Sequence, residues 1–225
     1  MPDTTPYVEQ ILQTLKGATE RARGLMEKKN AARDEALAIT RELTRHCALS
    51  IRACHRNEWD NALQLLEQAK EHVRTLKSIV APYPDLYHSG YTQDSIKEFV
   101  EATLTYAIIR REPVPTPEEL EVEYETYLRG MGEAMGELRR YVLDLIRRDE
   151  LERGEELLTI MDEVYALLMT VDYPNAITGG LRRISDIVRG VVERTRSDLT
   201  AAFESRRLRE SMQRFRNALG EEAGD

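Results

Sequence analysis

Four glutamates in two short segments of this chain could together bind a divalent cation. Glu98 and Glu101 are three residues apart, and Glu133 and Glu137 are four residues apart. Both spacings place two carboxylates on one face of a helix. Two helices that present carboxylates to each other supply the oxygen ligands that Mg²⁺ and Mn²⁺ prefer. Such a cation can activate a water molecule against a phosphodiester, so these glutamates are candidates for phosphodiester hydrolysis.

The simpler interpretation of these glutamates is a solvated helix surface, because the chain has 40 acidic residues and short motifs often match by chance. Two features favour a metal site. The segment around Glu98 and Glu101 is apolar nearly all round, and a buried carboxylate must be paired, protonated or bound to a metal. Three glycines also surround Glu133, namely Gly130, Gly132 and Gly136. Each costs up to ~1 kcal/mol in a helix relative to Ala, which predicts close approach of another backbone or of a ligand.

A stripe of basic residues lies earlier in the chain and could bind phosphates. Its arginines follow spacings of four, seven and four, which place them on one face of a predicted helix. They are Arg41, Arg45, Arg52 and Arg56, with His55 beside them. A second arginine-rich stretch runs from Leu181 to Arg216, but for most of it we expect a salt-bridged solvent surface. The first stripe is therefore the better candidate for contact with a nucleic-acid backbone.

Composition restricts the class of protein. The chain has 225 residues, a net charge of −8 and only 6% aromatic residues. The negative charge argues against a generally cationic nucleic-acid coat, but it allows a local basic face. The chain has no apolar run near the ~20 residues that span a bilayer. The N-terminus from Met1 to Thr5 does not resemble a secretory signal, so we expect a cytoplasmic protein that does not bind membranes.

Helical periodicity covers almost the whole chain, and strand alternation is nearly absent. We predict a short first helix with apolar residues from Val8 to Leu15, a second over about 30–56, a third after a cap at Asn57, a fourth from Thr92 or Asp94, a fifth from a cap at Thr116, a sixth over about 149–171 and a seventh over about 181–216. Residues 217–225 are predicted to form a frayed tail. No linker divides the chain, so the predicted fold is all-α, with residues 1–225 in a single domain built as a seven-helix bundle.

Three segments resemble signatures of the translin family. Residues 98–102 (Glu-Phe-Val-Glu-Ala) resemble the acidic motif of the translin-associated factor X branch. Residues 127–130 (Tyr-Leu-Arg-Gly), followed by 136–140 (Gly-Glu-Leu-Arg-Arg), resemble the second signature, and 181–186 (Leu-Arg-Arg-Ile-Ser-Asp) resemble a third. The resemblance extends from the second predicted helix to about residue 215.

The resemblance implies roles for the candidate site residues. In the nuclease subunit of the family, two glutamates of the first motif and an aspartate of the second are thought to act in catalysis. They correspond here to Glu98, Glu101 and Glu133, the last being one methylene longer than the aspartate it replaces. Glu137 is a fourth candidate metal ligand, although its Gly-Glu-Leu element occurs in catalytic and non-catalytic members alike, which favours a buried ion pair with an arginine. The basic stripe falls in the family's nucleic-acid-contacting region.

The resemblance also implies a homo-octameric shell whose basic and acidic sites face an internal chamber for RNA, either single-stranded or a short duplex. The preferred function is therefore a Mg²⁺- or Mn²⁺-dependent endoribonuclease. The alternative is a non-catalytic, translin-like protein that binds single-stranded nucleic acid and uses the acids for packing or ion pairs; such members lack the paired glutamates found here. A third possibility, a purely structural helical scaffold, predicts neither metal nor RNA binding.

Overall fold

The computed structural model describes residues 5–222, which form α-helices and no strand. Six helices are long: α1 (Thr5–His55), α2 (Trp59–Val80), α4 (Gly90–Arg110), α6 (Tyr124–Arg147), α7 (Leu151–Met169) and α9 (Leu181–Glu222). Three more are single turns between them: α3 (Pro84–Tyr87), α5 (Pro117–Leu120) and α8 (Asn175–Thr178). The predicted all-α class is therefore confirmed.

Several helix boundaries differ from those predicted from the sequence; for example, Glu58 and not Asn57 is the N-cap of α2, and α4 begins at Gly90. The first two predicted helices form one continuous helix, α1, because residues 16–29 contain no proline and the cost of Gly17 and Gly24 is too small to break it. The capping box at Thr116 is present, but it begins only the single turn α5. Glu121 then adopts a left-handed conformation with φ of 55°, so the long helix α6 begins later, at Tyr124.

Helix α4 lies at the centre of the bundle, as its apolar sequence predicts. Thirteen of its 21 residues are buried, and they face α1, α2 and α6 at once. Ile96, Val100 and Leu104 are among the most deeply buried apolar side chains. Because almost no face of α4 meets solvent, its polar side chains must find partners inside the protein.

Glycines allow α6 to lie unusually close to its neighbours. A Cβ atom added at Gly130 would lie 2.7 Å from Cβ of Val100 and 2.9 Å from the carbonyl oxygen of Lys97, both on α4. A Cβ atom added at Gly132 would lie 2.3 Å from Cγ2 of Ile184 on α9. These two glycines therefore explain the predicted close approach of another helix.

Polar contacts fix the register between α4 and α6. The buried hydroxyl of Thr126 donates a hydrogen bond of 2.7 Å to Oε1 of Gln93. Three residues further along α6 and one residue further along α4, Arg129 pairs with Asp94 at 2.6 Å. The contacts follow the same order on each helix, so α4 and α6 run parallel. This register brings Glu133, in the following turn of α6, to the acidic residues of α4.

The two longest helices extend beyond the core. Residues 6–35 of α1 and 200–218 of α9 include no buried residue, whereas the parts in between pack into the bundle. The apolar residues predicted from Val8 to Leu15 are consequently exposed. Within residues 5–222 no helix is long and apolar enough to cross a membrane.

The ends of the chain are described only in part. The predicted frayed tail is helical as far as Glu222, and its last three residues lie outside the described part of the chain. Residues 1–4, which form most of the N-terminus used to argue against a secretory signal, also lie outside it.

Candidate metal centre and its flanking grooves

The structure brings three of the four candidate glutamates together. One carboxylate oxygen from each of Glu98, Glu101 and Glu133 lies within 4.8 Å of the other two. We call these three residues the acidic cluster. Glu98 and Glu101 come from successive turns of α4, and Glu133 comes from α6. The side chains of Glu98 and Glu133 are each 33% exposed, so the acidic cluster is open to solvent on one side.

The donor set of the acidic cluster fits a hard divalent cation. Carboxylate oxygens are the ligands that Mg²⁺ and Mn²⁺ prefer. Adjacent ligands at about 2.1 Å around one octahedral ion are about 3.0 Å from each other, so oxygens up to 4.8 Å apart must close by up to about 1.8 Å. Glutamate side chains can move this far by rotation about their side-chain torsions. Three residues on two rigid helices therefore provide one face of a coordination shell, and water or substrate oxygens can provide the rest.

Burial and the crowding of negative charge raise the pKa of Glu101. Burial, followed by the charges of Glu98, Glu133 and Glu137, raises its pKa to about 8. Glu101 therefore holds a proton at neutral pH when no cation is bound. A divalent cation among the same oxygens opposes this effect, because it stabilises the ionised form of the carboxylate.

Lys97 belongs to the same group of side chains, and the motif analysis missed it. Its Nζ atom donates a hydrogen bond of 2.8 Å to Oε1 of Glu133 and lies 2.7 Å from Oε2 of that residue and 3.5 Å from Oε1 of Glu98. Burial alone would lower the pKa of Lys97, but the hydrogen bond to Glu133 and the nearby carboxylates raise it above its usual value. The available signal was the apolar sequence of α4, which leaves a lysine on that helix few positions that meet solvent.

Glu137 has a different partner from the one predicted. Its Oε2 atom lies 2.5 Å from Nε2 of His55 on α1 and 3.9 Å from Nη1 of Arg140. The hydrogen bond with His55 lowers the pKa of Glu137. In place of the predicted ion pair with an arginine, the main contact of Glu137 is therefore a hydrogen bond with a histidine, and Glu137 does not join the three carboxylates of the acidic cluster. His55 has a side chain only 4% exposed, so it lies inside the bundle rather than on a surface that RNA could reach.

The four arginines of the predicted stripe are exposed on α1. Only two of them lie near the acidic cluster. Arg41 and Arg45 line an open groove of about 580 Å³ between α1 and α4, and Glu98 is on its other wall. Arg52 and Arg56, further along α1, do not line this groove. The structure therefore divides the stripe into a pair beside the candidate metal centre and a pair beyond it.

A second groove lies on the other side of Glu133. Its volume is about 610 Å³, and its walls include Arg129, Arg182 and Arg183. The last two begin α9 and lie in the arginine-rich stretch for most of which a salt-bridged solvent surface was expected. Among the side chains of residues 6–218, neither has a carboxylate within 4.0 Å. Arginines therefore flank the acidic cluster on both sides, an arrangement suited to a phosphate backbone.

Known proteins resemble this chain over most of its length. The uncharacterized protein MJ0175 of Methanocaldococcus jannaschii is 34% identical over 196 residues, which cover 86% of each chain. The structure of AfC3PO in complex with duplex RNA has a TM-score of 0.79 and 34% identity, covering 84% of this chain and 98% of that one. The structure of apo-NeC3PO, at 22% identity and a TM-score of 0.72, covers 84% of this chain and 96% of its own and shares the fold. No protein-family model matches the chain.

Proposed function

This chain belongs to the translin family, and we propose that it is a metal-dependent endoribonuclease that binds RNA inside a homo-oligomeric chamber. One observation carries the proposal of catalysis. Glu98, Glu101 and Glu133, which are distant in sequence, present oxygens within 4.8 Å of one another at a solvent-accessible position. A protein that only packed its helices together has no need to concentrate three carboxylates there, because their mutual repulsion opposes folding.

RNA is the proposed substrate because of the surroundings of the acidic cluster. AfC3PO has been solved with duplex RNA, and that protein shares fold and 34% sequence identity with this chain. Here, Arg41 and Arg45 on one side, and Arg182 and Arg183 on the other, would contact successive phosphates of a strand that crosses the acidic cluster. Either a single strand or a short duplex presents such a backbone.

In the proposed reaction, the glutamates and the arginines would have different roles. Glu98, Glu101 and Glu133 would hold the cation, and Glu101 would give up its proton when the cation binds. A bound Mg²⁺ or Mn²⁺ would polarise a phosphate oxygen and lower the pKa of the attacking water. Arg41 and Arg45 would hold the phosphate in the groove beside Glu98.

Assembly into a closed shell, with eight chains as the predicted number, is supported by the two ends of the chain that extend beyond the core. Both present large apolar side chains to solvent: Tyr7, Val8, Ile11, Leu12, Leu15, Leu25 and Met26 on α1, and Leu208, Met212 and Phe215 on α9. Contiguous exposed apolar surface marks an interaction site. Light scattering should therefore give a mass several times the 25.9 kDa of one chain. A monomeric mass at micromolar concentration would contradict the proposed chamber.

The second candidate function is RNA binding without cleavage. One observation favours it: Lys97 already neutralises part of the acidic cluster, since its Nζ lies 2.7 Å from Glu133. A cluster partly satisfied by a lysine could serve as an ion pair between α4 and α6. In this case both arginine-lined grooves would still bind RNA, but the acidic cluster would not bind a cation.

The two candidates are separated by a cleavage assay. End-labelled single-stranded and duplex RNA should be cleaved internally by the wild-type protein with Mg²⁺ or Mn²⁺ and not with a chelator. Glu101→Gln removes a ligand charge but preserves side-chain size, so cleavage should fall by at least 100-fold while RNA binding persists. Glu163→Gln is a matched control, since Glu163 is exposed on α7. RNA binding without divalent-dependent cleavage by the wild type would leave the non-catalytic candidate.

A further inference from the structure

We propose that the ammonium group of Lys97 takes the place of a second cation in the acidic cluster, so that the cluster binds one divalent ion and not two. This inference rests on the proposed function and concerns the same site. Lys97 comes from α4, immediately before Glu98, and its ammonium group lies between Glu98 and Glu133 at 3.5 Å and 2.7 Å. Its side chain is only 11% exposed. The ammonium group therefore belongs to the site and is not a surface charge that happens to lie near it.

The balance of charge supports one divalent ion. The three ionised carboxylates of the acidic cluster contribute −3, and Lys97 contributes +1, so the site has a net charge of −2. One divalent ion neutralises this charge completely. A second would leave a net charge of +2 in a partly buried position, which is costly because low-dielectric surroundings screen repulsion poorly.

The position of the ammonium group supports the same conclusion. In sites with two metal ions, the ions lie about 3.5–4 Å apart and share carboxylate ligands. Here Nζ of Lys97 lies within 2.8 Å of both oxygens of Glu133 and 3.5 Å from Glu98. It therefore occupies the position that a second metal ion shared by Glu98 and Glu133 would need. Each oxygen of Glu133 still has a second lone pair, so it can also bind one ion on the side of Glu101.

Packing keeps Lys97 in this place. Its carbonyl oxygen lies against Gly130, where an added Cβ would be only 2.9 Å away, and the register contacts between α4 and α6 lie one turn before it. The backbone of Lys97 thus cannot shift relative to Glu133 without separating the two helices. The side chain of Lys97 is only 11% exposed, so its ammonium group is held beside Glu133 and Glu98.

The experiment counts bound ions directly and does not depend on cleavage. Mn²⁺ is titrated into the metal-free protein, with free ion followed by electron paramagnetic resonance and heat by calorimetry. The wild-type protein should bind one Mn²⁺ per chain. Lys97→Met keeps the length of the side chain without its charge, so the first ion should bind at least tenfold more tightly and a second should bind at higher concentration. Lys97→Arg keeps the charge and should still bind one ion.

Lys28→Met is the matched control, because Lys28 is exposed on α1 and its loss changes net charge equally. It should leave both stoichiometry and affinity unchanged. Two ions per wild-type chain, or an affinity that does not respond to Lys97→Met in a protein with unchanged helicity, would overturn the role of Lys97 and leave the proposed metal centre intact. If neither the wild type nor Lys97→Met binds Mn²⁺, the metal centre and this inference fail together.

Discussion

The acidic cluster and the arginine pair Arg41 and Arg45 line one groove, yet the protein builds them by different means. The arginines are four residues apart on one helix and exposed, so their common face follows from helix geometry alone. The acidic cluster joins Glu98 to Glu133, 35 residues later, and it depends on the register between α4 and α6. One side of the groove is a local surface pattern, and the other is a product of tertiary packing.

This difference determines what a substitution should do on each side. Charges in the acidic cluster are close together and partly withdrawn from water, so removing one changes the free energy of unfolding and metal binding together. Charges on the exposed arginines are screened by solvent and salt, so removing one changes RNA affinity and leaves stability almost unchanged.

The largest effect is expected from Glu101→Gln in the metal-free protein. Burial and neighbouring carboxylates raise the folded-state pKa of Glu101 to about 8, whereas an unfolded glutamate titrates near 4.5. The folded state therefore holds the proton more tightly, and the stability that this provides is complete below pH ~4.5 and is lost as pH rises through 8. An amide does not ionise, so Glu101→Gln should be more stable than the wild type by about 2–4 kcal/mol at pH 9 and similar to it at pH 4.

Thermal unfolding in the presence of a chelator, measured from pH 4 to pH 9, tests this expectation. Glu163→Gln serves again as the control, and its melting temperature should follow that of the wild type throughout. If the melting temperature of Glu101→Gln also followed that of the wild type over the whole range, neither burial nor the neighbouring carboxylates would disfavour the ionised form of Glu101. The acidic cluster would then be more solvated than the structure indicates.

Glu137→Ala should destabilise the fold, whereas Glu101→Gln should stabilise it, although Glu137 is only one turn from Glu133. Its pKa is lowered by the hydrogen bond with His55, so its ionised form stabilises the fold above pH ~4.5, and this contribution is lost as pH falls. Nδ1 of the buried His55 ring already lacks a hydrogen-bond partner among the described residues. Removing Glu137 takes away the partner of Nε2 as well. We expect a loss of about 2 kcal/mol at pH 7.

Denaturant unfolding at pH 7 measures this loss, and Mn²⁺ titration of the same variant gives the comparison. The number of bound ions should stay at the wild-type value, because Glu137 does not join the acidic cluster. A variant of normal stability that had lost its ion would instead return Glu137 to the set of metal ligands.

Much of the fold could be predicted from the sequence because it depends on local patterns. The apolar stripe of α2, the central position of α4 and the capping box at Thr116 are properties of neighbouring residues, and the structure contains all three. The length of α1 could not be predicted in this way. Residues 16–29 have no apolar stripe to mark them as helix, so only the absence of a breaking residue indicated that the helix continues.

In the candidate site, too, some positions could be predicted from the sequence and others could not. The convergence of Glu98 and Glu133 was expected from motifs that other family members share, and the structure supplies the distance between them. The positions of Lys97 and His55 could not be predicted, because they depend on which face of one helix meets another. A lysine beside a glutamate and a histidine among arginines both suggest solvent from spacing alone, yet both side chains are enclosed.

On the exposed side of the groove, Arg45→Ala should weaken RNA binding by severalfold. Losing one phosphate contact reduces the slope of log affinity against log salt by about 0.7–0.9. Among the side chains that the structure describes, Arg45 is paired only with Glu42, at 3.5 Å on the helix surface, so stability should change by less than about 0.5 kcal/mol. Arg52→Ala is the matched control, since Arg52 is exposed on the same helix and lies outside the groove. Equal changes of slope in both variants would extend the RNA path along the whole stripe.

The smallest effect is expected from Gly136→Ala, one turn beyond Glu133 on α6. A Cβ atom there would meet nothing within 4 Å, unlike one at Gly130, which would lie 2.7 Å from Val100. Alanine should therefore stabilise the helix at position 136 by up to ~1 kcal/mol, because glycine is the poorer helix former, and at position 130 it should destabilise the fold. Melting temperatures of the two variants test this contrast. Cleavage and RNA affinity should be unchanged by Gly136→Ala, and a more stable variant that had lost cleavage would show that substrate lies against the bare backbone at Gly136.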